Sequence, residues 1–86
     1  MPCICSFYGI AIWIYWNDYR PPHFHAEYAE FEVLIKIEDL SICSGSLPPR
    51  ALGLVVEWAS QHKQELMEDW LLAEKELPLK KIEPLK

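Results

Sequence analysis

His23, His25 and Glu27 occupy alternate positions in the stretch Arg20-Pro21-Pro22-His23-Phe24-His25-Ala26-Glu27-Tyr28. In an extended chain successive side chains leave on opposite faces. This spacing therefore puts two imidazoles and a carboxylate on one face, and Phe24, Ala26 and Tyr28 on the other. Imidazole changes charge near neutral pH and can take or give a proton in a reaction. His23, His25 and Glu27 are the catalytic candidates on that ground. Nothing else in the chain concentrates titratable groups in this way.

Three chemistries fit the stretch. In the first, the two histidines bind one Zn²⁺ with a third ligand from Glu27, Glu32 or His62, and the ion supplies a hydroxide for hydrolysis. No bound cofactor is the default expectation, and zinc at His23 and His25 is the alternative to it. In the second, no metal is involved: a histidine moves the proton of an RNA 2′-hydroxyl while Arg20, Lys36 and Lys63 stabilise phosphate charge. In the third, the surface docks a protein partner or a second copy of the chain. Trp13, Tyr15, Asp18, Tyr19, Arg20 and His62 then carry the contact, since aromatics and arginine dominate such interfaces. Ordinary structural roles stand beside all three. His23 can pack on Pro22 and donate to a carbonyl, and His25 can bond Glu27 or a neighbouring strand. Asp18 can cap its own turn, and His62 can sit half-buried beside an apolar stripe. Glu65, Glu68 and Asp69 read as a solvated face.

The elements that position these residues follow from patterning. Residues 3–7 read as a short strand and residues 8–16, apolar on both faces, as a longer one. Such a strand is central or carries a partner on its outer face. Asn17-Asp18 and Pro21-Pro22 are turn signals. Residues 23–28 and 31–38 form two further strands. A two-residue loop at Ala29-Glu30 pairs Tyr28 with Phe31, Ala26 with Val33 and Phe24 with Ile35, so that the apolar faces agree. The same register sets Glu27 opposite Glu32, a like-charge pair that costs stability. Residues 42–44 add a fourth short strand. A helix is predicted over about 48–76, opening at Ser46 or Leu47 with prolines in its first turn. Its apolar stripe is Leu52, Val55, Val56, Ala59, Leu66, Trp70, Ala73 and Leu77. Residues 78–86, bounded by Pro78 and Pro84, form an extended tail that docks on a sheet edge or on a second subunit. The fold class is α+β: a mainly antiparallel sheet of three to five strands within 3–44, one long C-terminal helix on one face, and a single domain over 1–86.

Composition narrows the function classes. The chain has 86 residues, 51% of them apolar, with four tryptophans and a formal net charge of −5. That is a globular composition with room for one modest core. The acidic balance counts against broad phosphate-driven binding of DNA or RNA. Cys3, Cys5 and Cys43 have no framework spacing and read as reduced thiols in a cytoplasm. The apolar run at 3–16 lacks a basic leader and is too short to span a membrane.

Several motifs combine along the whole chain: Phe7-Tyr8-Gly9-Ile10, Asn17-Asp18 before Pro21-Pro22-His23-Phe24-His25-Ala26-Glu27-Tyr28, Leu47-Pro48 through Arg50-Ala51-Leu52, Glu57-Trp58 with His62 and Glu65-Leu66, Trp70, Pro78-Leu79 and Lys81-Ile82-Glu83-Pro84-Leu85. In this combination the chain resembles the small prokaryotic family catalogued as domain of unknown function 4160. The resemblance implies a short cytoplasmic protein, often encoded beside another small protein, and hence a toxin–antitoxin-like pair acting through a protein partner. It brings no catalytic assignment. Ala29 departs from the glycine expected in the hairpin. Trp13 departs from a polar or basic strand position, which favours a partner or a homodimer.

Overall fold

The computed structural model describes residues 3–86; residues 1 and 2 of the expected domain lie outside it. Five strands, β1 (Cys3–Phe7), β2 (Ile10–Trp13), β3 (His23–Tyr28), β4 (Phe31–Lys36) and β5 (Ile42–Gly45), form one antiparallel sheet in the order β1-β2-β3-β4-β5. Two helices follow, α1 (Pro49–Gln61) and α2 (Lys63–Glu74). One sheet face carries Ile10, Ile12, Phe24, Ala26, Val33 and Ile35, all fully buried against Val55, Trp58, Ala59, Leu66 and Trp70 of the helices. Burying each large apolar side chain contributes about 1.5–3 kcal/mol before ordering entropy is counted.

The β3–β4 hairpin has the register that the alternation dictates: Tyr28 pairs with Phe31, Ala26 with Val33, Phe24 with Ile35 and Glu27 with Glu32. Ala29 takes φ +54° in its loop, a left-handed conformation that disfavours any residue with a Cβ. The strand expected over 8–16 is shorter at both ends. Tyr8 and Gly9, at φ +50° and +79°, form the turn that joins β1 to β2, and residues 14–16 have left the sheet. Ile14 stays in the core, whereas Trp16 is exposed.

The long helix expected over 48–76 is two helices that break at His62, which takes φ −132° and ψ 24°. Just before the break the Ser60 hydroxyl donates to the Glu57 carbonyl at 2.7 Å, a local bond that competes with continuing the helix. The first helix is preceded by Pro48 rather than by Ser46 or Leu47, with no side-chain cap. The second stops early. Glu76 at φ +57° donates its N–H to the Ala73 carbonyl, and Leu77 donates to the Leu72 carbonyl, the paired closing bonds of a left-handed C-cap. Leu77 therefore leaves the stripe and is exposed.

Asp69, expected on a solvated face, is 1% exposed. Its Oδ1 accepts the Lys80 N–H at 2.8 Å and anchors the tail. The tail then crosses the free side of β1. Ile82 N–H donates to the Ile4 carbonyl at 2.9 Å, and Trp58 Nε1 donates to the Glu83 carbonyl at 2.7 Å. The edge on which the tail docks thus belongs to its own chain. Among the described residues, no helix is long and apolar enough to cross a membrane.

Candidate functional site

Strand alternation sends Phe24 and Ala26 into the core and turns His23 and His25 to the other face. The two imidazoles are nonetheless only 6% and 7% exposed. Trp70 of α2 lies beside His23, with ring centroids 5.2 Å apart, and the Tyr15 ring stacks on His25 at 4.1 Å. Trp13 pairs with His25 in the β2–β3 register. Tyr15 lies beyond the end of β2, and the chain then turns at Asn17, whose φ of +55° is one that asparagine tolerates. The turn is tied to the end of α2. Asn17 N–H donates to the Ala73 carbonyl, the Asn17 amide donates to the Glu76 carboxylate, and Arg20 pairs with Glu74 at 2.8 Å.

This turn delivers Asp18. Its Oδ2 lies 3.0 Å from Nε2 of His23 and 3.0 Å from Nε2 of His25. One ligand atom from each of Asp18, His23 and His25 falls within 4.8 Å of the others. The outer atoms of the three groups are also engaged. His23 Nδ1 meets the Pro21 carbonyl at 2.8 Å, His25 Nδ1 meets Glu32 Oε2 at 3.2 Å, and Asp18 Oδ1 accepts the Tyr19 N–H at 2.8 Å.

These partners assign the protons. A carbonyl oxygen only accepts, so Nδ1 of His23 carries a hydrogen; an ionised Glu32 requires the same of His25. A neutral ring then presents the lone pair of Nε2 to Asp18 Oδ2, which is itself an acceptor. A proton or a metal ion between them removes that clash of lone pairs. Four ligands at the ordinary zinc bond lengths lie about 3.3 Å apart, close to the separations here. Burial pushes the Asp18 carboxyl up. The hydrogen bond from His25, the Tyr19 N–H and the charges of both rings outweigh it and hold the group below the ordinary carboxylate value. Burial first, then Glu32, Glu27 and Asp18, push the Tyr15 phenol up.

The remaining candidates are placed as follows. Glu27 is half-buried on the same sheet face but outside the cluster; the carboxylates that touch the imidazoles are Asp18 and Glu32. Tyr19 is 88% exposed, and Arg20 is turned toward α2. His62 lies at the helix break, bonded to Glu65 at 2.5 Å and packed on Trp58, away from the cluster. The third converging group is thus Asp18, not Glu27, Glu32 or His62. Its sequence signal, a carboxylate five residues before His23 with two prolines between, points to a turn or a partner contact and does not by itself place Asp18 against the two rings. A cavity of about 580 Å³ lined by Tyr8, Tyr28, Arg50, Leu54, Glu57 and Lys86 sits at the far end of β3, roughly 16 Å along the strand from His23.

The arrangement is a buried Asp/His/His cluster that could coordinate a metal or act in catalysis. No curated protein and no solved structure matches the chain. The family model described as Domain of unknown function (DUF4160) matches residues 9–71, a span that includes Asp18, His23, His25 and Glu32, and the chain belongs to that family.

Proposed function

We propose that this protein is a metal-assisted hydrolase with one divalent ion, zinc in the first instance, held by Asp18 Oδ2 and by Nε2 of His23 and His25. One observation carries the reading: three ligand atoms converge while the outer atom of each group is already tied to a main-chain or carboxylate partner. Metal-bound histidines nearly always donate their other N–H to a carbonyl or carboxylate, which is the pattern at His23 and His25. A zinc ion held by Asp18, His23 and His25 would supply an activated water at neutral pH. The test is elemental analysis and native mass spectrometry on protein purified without chelator. One metal per chain is expected, and Asp18→Asn, His23→Ala and His25→Ala should each lose it together with hydrolysis of ester and phosphodiester probes. Wild-type protein that stays metal-free at micromolar Zn²⁺ overturns the reading. If that metal-free protein cleaves RNA through His23 and His25, the two rings act as the acid–base pair of a small ribonuclease instead.

A second reading, half of a toxin–antitoxin-like pair working in the cytoplasm through a neighbouring gene's product or as a homodimer, has support from the outer sheet face. Ala11, Trp13, Leu34 and Lys36 lie there only half-buried. Exposed apolar area of this kind suits a partner. Changing Trp13 or Arg20 should weaken that association; intact binding in both variants would place the contact elsewhere.

A further inference from the structure

We infer that Glu32 is the positioning residue of the Asp18/His23/His25 site, setting how tightly it holds its ion. The inference rests on the metal reading above. Of the three outer bonds that orient the ligands, two are made by main chain: the Pro21 carbonyl at His23 and the Tyr19 N–H at Asp18. Those bonds come with the turn and cannot be varied without refolding it. The third is made by the Glu32 side chain on the adjacent strand, 3.2 Å from Nδ1 of His25.

Glu32 is built for this task at its backbone. Its carbonyl accepts the Ser46 N–H at 3.1 Å. Gly45 crosses so closely that a Cβ there would stand 2.2 Å from the Glu32 carbonyl oxygen. The main chain under Glu32 is therefore held from the β5 side while the carboxylate reaches the histidine. The carboxylate fixes the tautomer that delivers Nε2 inward and makes that nitrogen a better donor. It also completes the charge: Asp18 and Glu32 together bring two negative charges to a divalent ion. The Glu27–Glu32 like-charge pair, a cost to the hairpin by itself, is explained by placing one of its members in the site.

The experiment measures Co²⁺ binding, which reports affinity and ligand geometry through its visible spectrum. The proteins compared are wild type, Glu32→Ala, Glu32→Gln and, as a control in the same hairpin, Glu30→Gln. Circular dichroism shows whether each variant is folded. Glu32→Ala should bind Co²⁺ about 10–100-fold more weakly and with an altered spectrum. Glu32→Gln keeps an acceptor for the Nδ1 hydrogen and should recover the spectrum and part of the affinity, while Glu30→Gln behaves as wild type. Wild-type affinity and spectrum in a folded Glu32→Ala protein overturn the inference and leave the metal site standing. Loss caused equally by Glu30→Gln reduces Glu32 to a general charge effect and overturns it too. Absence of Co²⁺ binding in wild type overturns the metal reading and this inference with it.

Discussion

At the scale of single residues, the site depends on which atom of each side chain is free. His23 and His25 could have been read as donors to any nearby acceptor. Their Nδ1 partners fix the rings so that both Nε2 atoms face Asp18. Truncating either histidine should abolish stoichiometric metal, yet leave a chain that melts cooperatively, at a lower midpoint for His23→Ala because its contact with Trp70 is lost while Phe24, Ala26, Val33 and Ile35 stay packed. Thiol chemistry offers an independent check on burial. Desolvation pushes the Cys5 thiol up to about 11, whereas Cys43 is exposed on the edge strand. Thiolate is the reactive form. A thiol reagent at pH 8 should therefore modify Cys43 quickly and leave Cys5 essentially untouched in the native state; equal rates would refute the placement of β1. The histidines and their shared face were legible in the sequence because strand period is strict. The role of Asp18 was not, because it depends on the path of a loop, which carries no period.

At the scale of elements, local conformation and hydrophobic pattern do not always agree. The β3–β4 register was legible because slipping by one residue would turn Phe24, Ala26, Val33 and Ile35 out of the core. The pattern prevails even though it forces Ala29 to φ +54°. Ala29→Gly should raise stability by about 1 kcal/mol, the approximate cost of a Cβ in that conformation, measured as a shift in denaturation midpoint at constant slope. Gly45→Ala should do the reverse by more than that. It places a Cβ in a left-handed residue against the Glu32 carbonyl and should also disturb the proposed metal site through Glu32. The helix break at His62 was hidden from periodicity, since the apolar stripe continues across it from Ala59 to Leu66 and only the backbone bonds reveal the interruption.

At the scale of the whole molecule, α2 links the site to the C-terminal tail. Its last turn holds the Asn17–Arg20 loop. One turn earlier, buried Asp69 holds the tail at Lys80. Burial pushes the Asp69 carboxyl up; the Lys80 N–H opposes this and nearby Glu68 adds to the rise. A carboxyl whose folded value is raised is neutral in both states below its unfolded value. It loses stability for the protein as pH climbs from there through the folded value. Asp69→Asn keeps an acceptor for Lys80 and removes the titration. Its stability should exceed that of wild type at pH 7 and converge with it near pH 4. Parallel pH curves for the two proteins would show that Asp69 does not titrate in the accessible window.

The sequence by itself determined the α+β class, the strand faces, the β3–β4 register and the two histidines on one face. Each follows from a repeat of two or of about 3.6 residues, which burial enforces locally. Tertiary structure decided what has no such repeat. It set Asp18 between the two rings, brought Glu32 across from a neighbouring strand, buried Asp69 under the tail and laid the tail along β1. Those contacts join residues separated by loops and turns. Their geometry is fixed only when the helices close on the sheet and His23, His25 and Asp69, buried there, take hydrogen-bond partners.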